Sequence, residues 1–208
     1  VVDWLRPTLM LDLAGVKVGV IGVTTPATAR MSFPENIAGL DFRPMPEAVA
    51  HHRDELRAQG ADLIFLAIHE GLPYDPQKGW EEIAGRQAAA AAGTEDGGAD
   101  IVQDQPITYG ANASYGGMNL MDLVNEVSGI DFAVGGHTHR GYEEPWIDPV
   151  NHTLCFESFG NGSSLGHAIL RVDRATGTLI GWDPAHDRGT LITLFEDEIR
   201  PDAEIAEI

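Results

Sequence analysis

Twice in this chain a helix-like segment runs into a short apolar stretch that ends in glycine and histidine, and that repetition limits the fold more than any other feature. The first copy begins with "MPEAVAHHRDELRAQG" (45–60). Pro46 suits a first helical turn, Met45, Val49, His52 and Leu56 share one stripe, and Gly60 ends the pattern. "ADLIFLAIHEG" (61–71) follows, a continuous apolar run of strand length. A strand apolar on both faces has to be covered on both, and one entered from a helix reads as parallel. The second copy is "NLMDLVNEVSG" (119–129), a helix stopped by Gly129, followed by "IDFAVGGH". Parallel neighbours need crossovers, so the chain reads as α/β.

The flanking segments fill in the layers. "TLMLDL" (8–13) and "VKVGVIGV" (16–23) read as strands separated by a turn, and the alanine tract near 79–93 reads as a helix before a loop at 93–100. Beyond residue 145 the pattern changes to short strands, "TLCFESF", "HAILRVD", "TLIGWD" and "TLITLFE", with "RATGT" (174–178) as a hairpin turn. The expectation is one α/β domain, with parallel strands and helices first and then an antiparallel meander that closes a second sheet. The 208 residues suffice for one full core. A net charge of −19 argues against nucleic acid or an anionic membrane as partner. No apolar run reaches the roughly 20 residues of a membrane span, and no signal peptide is visible. The single cysteine, Cys155, sits within an apolar run and reads as a small buried hydrophobe rather than a nucleophile.

Histidine carries the chemical signal. His69 ends one apolar run, and His137 and His139 follow the other. In open α/β sheets ligands collect beyond the carboxyl ends of the strands, and neutral imidazole suits zinc, manganese or iron. If the segment is extended, residues i and i+2 face the same way, and His137 and His139 can then address one ion or two neighbouring ions. Gly135 and Gly136 let the backbone crowd close to such a site. His51 and His52 read as partly exposed helix residues, His152 and His167 as structural parts of late strands, and His186 as a loop residue. "GVIGVTT" has neither a dinucleotide nor a P-loop glycine pattern.

Together these stretches resemble the metallophosphoesterase (calcineurin-like) superfamily, most closely its 5′-nucleotidase branch. "GVKVGVIGVTTPAT" is similar to the strand and turn after the family's Asn-His motif. "ADLIFLAIHEG" is similar to its strand ending in one metal-binding histidine, and "GIDFAVGGHTH" to its last metal motif. "NGSSLGHAILRVDRATGTLIGWD" resembles the closing sheet, and "RPDAEIAEI" the start of a connector to a nucleotide-binding domain. The resemblance implies a partial two-sheet β-sandwich flanked by helices. It also implies His69 and His137 on one divalent ion and His139 on a second, about 3.5–4 Å away, the pair activating water for attack on phosphorus. The implied substrate is a nucleotide and the implied setting periplasmic or secreted.

The departures from the family shape the expectation. Its earlier motifs, Asp-x-His, Gly-Asp-x-x-Asp and Gly-Asn-His, do not occur in residues 1–208, and Asn112 has no histidine after it. Residues 1–200 are therefore expected to be the second half of a catalytic domain that partners a missing amino-terminal half, with 201–208 as the connector. Alone, the chain is expected to be inactive. The stretch 72–118 reads as an insertion beside the site. Cyclic-nucleotide phosphodiesterase, nucleotide-sugar hydrolase and thiosulfate-ester hydrolase activities remain open on the same scaffold. So does a non-enzymatic metal-binding or structural relic.

Overall fold

The computed structural model describes residues 5–93, 118–187, 189–195, 200 and 202–204. Asn112, most of the 201–208 connector and the later part of the 72–118 stretch lie outside the described residues.

Strands β1 (Thr8–Leu13) and β2 (Val16–Thr24) form an antiparallel hairpin. A short helix α1 (Thr28–Met31) and a 3-10 turn at Pro34–Asn36 lead to helix α2 (Met45–Ala58). Strand β3 (Leu63–His69) then pairs parallel with β2, from Val18↔Leu63 to Thr24↔His69. Helices α3 (Pro76–Ala91) and α4 (Leu120–Glu126) lie in the crossover to β4 (Phe132–Gly135), which pairs parallel with β3. Strands β5 (Trp146–Ile147) and β6 (Leu154–Glu157) complete a six-stranded sheet of order β1-β2-β3-β4-β6-β5. β7 (Ser164–Gly166) pairs with β10 (Leu191–Thr193), and β8 (Ala168–Asp173) with β9 (Thr178–Pro184).

The continuous apolar runs have the physical meaning the sequence implies. One face of the sheet presents Ile21, Ile64, Leu66, Ile68, Ala133 and Cys155 to a core shared with Val49 and Leu56 of α2, Ile83 of α3 and Leu120, Leu123 and Val124 of α4. On the other face Val16, Val18 and Leu63 pack with Phe65, Phe132, Val172 and Leu179, so the β8–β9 hairpin covers part of it. The cover stops before β1, where Leu9, Leu11 and Leu13 are 48%, 36% and 56% exposed.

Several elements differ from expectation for identifiable reasons. α3 starts at Pro76 because the Asp75 carboxylate accepts from the Lys78 amide at 3.0 Å and caps the helix there. α4 is opened by a capping box of Asn119 and Asp122, and it stops at Glu126 rather than 129. There the Asn151 side-chain amide donates to the carbonyls of Val124 and Asn125, taking acceptors a further turn would use. β6, expected in the antiparallel meander, pairs parallel with β4 (Phe132↔Leu154 to Gly135↔Glu157). The Thr153 hydroxyl donates to the Ile130 carbonyl at 2.8 Å, and the Leu154 amide to Asp131 at 3.1 Å, which fixes that register. Among the described residues the remaining late strands form two separate two-stranded ladders. His152, read as part of a late strand, lies instead in the exposed turn before β6.

Candidate metal centre

Because β3 and β4 are parallel neighbours, their carboxyl ends fall on one edge of the sheet. His69 closes β3, and β4 hands over to the turn that carries His137 and His139. The edge brings His69 and His137 together: His69 Nε2 and His137 Nδ1 are 3.2 Å apart, with the rings in a T-shaped arrangement at 70°. Burial first, then the neighbouring charges of His69 and His139, lowers the pKa of His137, which favours the neutral ring that binds metal.

His139 sits on a backbone that the spacing of the sequence does not reveal. His137 and His139 both have left-handed backbones, with φ of 72° and 59°, so "HTH" is a turn and not the extended segment invoked to align their side chains. The His139 ring lies on Gly160, where an added Cβ would come within 2.3 Å of ring Cγ. The three histidines do not gather their ligand atoms within 4.8 Å of one another. His69 and His137 form a pair, and His139 stands apart from it.

The backbone beneath the pair is drawn tight by groups the sequence reading passed over. Gly71 packs so closely under the turn that a Cβ there would sit 2.3 Å from Thr138 Oγ1 and 2.5 Å from the Gly136 carbonyl oxygen. The Gly136 amide donates to the Glu70 carbonyl at 3.1 Å. Thr138 Oγ1 lies 3.1 Å from the Leu72 carbonyl and 2.7 Å from a Glu157 carboxylate oxygen. The Tyr142 hydroxyl donates to the Pro73 carbonyl, and the Arg140 guanidinium stacks 3.1 Å above the centre of the Tyr74 ring.

Two carboxyl groups are buried here, Glu70 at 0% and Glu157 at 2% exposure. Burial pushes both up to about 7. Glu157 is well supplied with hydrogen-bond donors. Neither oxygen of Glu70 completes a hydrogen bond, although Thr25 and the Gly71 amide stand near enough to oppose the upward shift. The available sequence signal was a glutamate inside the apolar run "LCFES".

The other histidines lie elsewhere. His51 and His52 sit on α2, and with Glu55 they are the one group among the described residues whose three ligand atoms fall within 4.8 Å. Glu55 pairs with both, at 3.4 Å to His51 and 2.9 Å to His52, an ordinary ion-pair arrangement on a solvated helix face. His167 is exposed, and His186 makes an isolated bridge with Gly189.

Comparison with known proteins agrees with this architecture. No protein-family model matches the chain. Over its whole length the chain is 23% identical to a cell wall protein of Listeria monocytogenes, of which it covers 22%. Over 71 residues, 34% of the chain, it is 39% identical to the 5′-nucleotidase of Vibrio vulnificus, covering 13% of that protein. Among solved structures, the sulfate thiohydrolase SoxB of Thermus thermophilus superposes with a TM-score of 0.60 at 19% identity, covering 97% of this chain and 27% of that one. A 5′-nucleotidase precursor from Thermus thermophilus superposes at 0.58 and 19% identity, covering 97% of this chain and 32% of that one. The chain therefore has a mixed α/β fold of the metallophosphatase type. Within that class its resemblance is to the 5′-nucleotidase branch, toward the carboxyl-terminal part of the domain. It spans about a fifth or less of the curated relatives it matches. Among the described residues no helix is long and apolar enough to cross a membrane.

Proposed function

We propose that this chain supplies the histidine side of a two-metal phosphoester hydrolase, most closely a 5′-nucleotidase that converts a nucleoside monophosphate to nucleoside and phosphate. One observation carries the reading: two imidazole nitrogens from strand ends 68 residues apart stand 3.2 Å from each other. Two nitrogens bound to one tetrahedral ion at about 2.0–2.1 Å lie about 3–3.5 Å apart, so the separation of the hydrogen-bonded pair matches that of two ligands on one divalent cation, which would take the place of the shared proton. In this reading His69 and His137 hold one ion and His139 the other. When bound, such ions (zinc, manganese or iron) supply positive charge against the anionic ester and lower the pKa of water.

The chain's own residues bind and orient. Burial lowers the pKa of His137, and the contacts among Gly71, Leu72 and Thr138 fix the turn that carries it. The carboxylate and Asn-His elements of such a centre have no match in the 208 residues, and a segment that supplies them is the partner this reading calls for. The likeness to a cell wall protein and to a nucleotidase precursor favours a secreted or periplasmic setting.

Calorimetric titration with Zn²⁺ and Mn²⁺ tests the reading. His137→Ala should abolish the tightest site and His52→Ala should leave it. Equal binding by wild type and His137→Ala would overturn the assignment. The chain alone should show no turnover of a nucleoside monophosphate or a chromogenic phosphate ester, and a rate near 1 per second, the low end of ordinary enzymes (about 1–10³ s⁻¹), would place the site elsewhere.

A further inference from the structure

The buried carboxyl group of Glu157 has no part in that reading as a ligand, yet it is the best-connected side chain at the sheet edge. It ends β6, opposite Gly135 at the end of β4. One oxygen accepts from the Leu72 amide at 2.7 Å, three residues past His69. The other lies 2.7 Å from Thr138 Oγ1 and accepts from the Arg140 amide at 3.2 Å, on either side of His139. Its own backbone carbonyl accepts from the Tyr142 amide at 3.0 Å. Leu72 and Arg140 lie outside the strands, and a buried amide without an acceptor is costly.

From this geometry we infer that Glu157 is the positioning residue of the histidine pair, clamping the segment after β3 to the turn after β4 and so setting the separation of His69 and His137. The inference rests on the proposed metal site for its purpose but not for its mechanics. An apolar side chain could fill the space at lower desolvation cost. It could not accept from two amides that belong to segments 68 residues apart. Burial, which pushes the Glu157 carboxyl up to about 7, is the cost of that connection. The Thr138 hydroxyl has one proton and two neighbouring acceptors, the Leu72 carbonyl and Glu157. A glutamine at 157 keeps most of the set: its oxygen accepts from Leu72, its amide donates to Thr138 Oγ1, and Thr138 donates to Leu72, so Thr138 still ties the two segments together. Only the bond from Arg140 is lost.

The test compares Glu157→Ala, Glu157→Gln, Thr138→Val and a core control on α2, Val49→Ala, in the ¹⁵N-labelled chain. Long-range ¹H–¹⁵N spectra read the imidazole rings without metal, and Zn²⁺ titration reads affinity. Glu157→Ala should move the His69 and His137 ring signals, leave those of His51 and His52, and weaken Zn²⁺ by about 10–100-fold, the range for residues that orient ligands. Glu157→Gln should keep both signals and stay within about threefold of wild-type affinity, since it loses one of three hydrogen bonds to the group. Val49→Ala should lower thermal stability and leave the ring signals in place. If Glu157→Ala does not fold, Thr138→Val should move the same two rings by itself. Unmoved His69 and His137 signals in a folded Glu157→Ala, or in Thr138→Val, overturn the inference, as does a Glu157→Gln variant no better than alanine. Wild-type chain that binds no Zn²⁺ at His137 would end the metal reading alone, because the ring spectra still judge the clamp.

Discussion

Replacing Gly71 with alanine adds one methyl group at the tightest point under the histidine pair. The backbone of Gly71 does not have a positive φ, so the substitution acts through space and not through strain. The new Cβ would lie 2.5 Å from the Gly136 carbonyl oxygen, which is backbone and has to retreat by about 0.9 Å to regain an ordinary contact of 3.4 Å. That movement parts β3 from the turn and loosens the Gly136–Glu70 hydrogen bond of 3.1 Å. Overpacking of this kind costs about 1–3 kcal/mol, and a weakened buried hydrogen bond adds about 1. For a chain of this size about 2–4 kcal/mol lowers Tm by roughly 4–16 °C. Zn²⁺ affinity should fall about 10–100-fold as the pair opens. The matched control is Gly85→Ala, exposed in the middle of α3 with nothing within 4 Å of its Cβ. It should stabilise by about 1 kcal/mol through helix propensity. Thermal unfolding by circular dichroism and calorimetric Zn²⁺ titration on both variants decide the matter. A Gly71→Ala protein with wild-type Tm and wild-type Zn²⁺ affinity would refute the close packing from which the pair's geometry is argued.

Gly160→Ala places a Cβ 2.3 Å from Cγ of His139, so its ring has to swing away. Its imidazole NMR signal should shift while those of His69 and His137 hold, and concerted movement of all three would mean His139 is part of the pair. The Glu157 carboxyl is raised from 4.5 to about 7, so the folded chain keeps a proton that the unfolded chain releases across that window. Its contribution to stability is therefore present below about pH 4.5 and lost as pH rises through about 7, by about 3–4 kcal/mol at most. Urea unfolding of wild type and Glu157→Gln between pH 5 and 8, about the span where carboxyl and imidazole shifts act, should show a difference that shrinks as pH falls; a constant difference would contradict it. Cys155 is fully buried and its thiol pKa is raised by burial, so a thiol reagent at neutral pH should label it only after unfolding. Rapid labelling of the native chain would show that β6 is not an interior strand.

The sequence displays β3 and β4 plainly because parallel strands covered on both faces are written as unbroken apolar runs, such as "LIFLAI". The histidines that end those runs are legible for the same reason, since strand direction sends them to one edge. The reason given for aligning His137 with His139 fails, because spacing cannot distinguish an extended H-x-H from a turn with two left-handed residues. β6 is four residues long, and so short a run looks alike in a parallel or antiparallel ladder until Thr153 finds Ile130. Glu157 was invisible as a working residue because its partner Leu72 lies 85 residues away, and nothing local records that meeting.

The distance along the chain between His69 and His137 has a mechanical consequence. Anything that ties the two rings together closes a loop of 68 residues containing α3, α4 and β4. In chain-entropy terms a cross-link over such a span restricts the unfolded ensemble by on the order of 4 kcal/mol. An ion held there would act as a fastener of the folded chain, to the extent that it binds the folded form and not the unfolded one. Chelation should quicken global unfolding while leaving the β1–β2 hairpin, which lies outside the loop, to fray at its own rate.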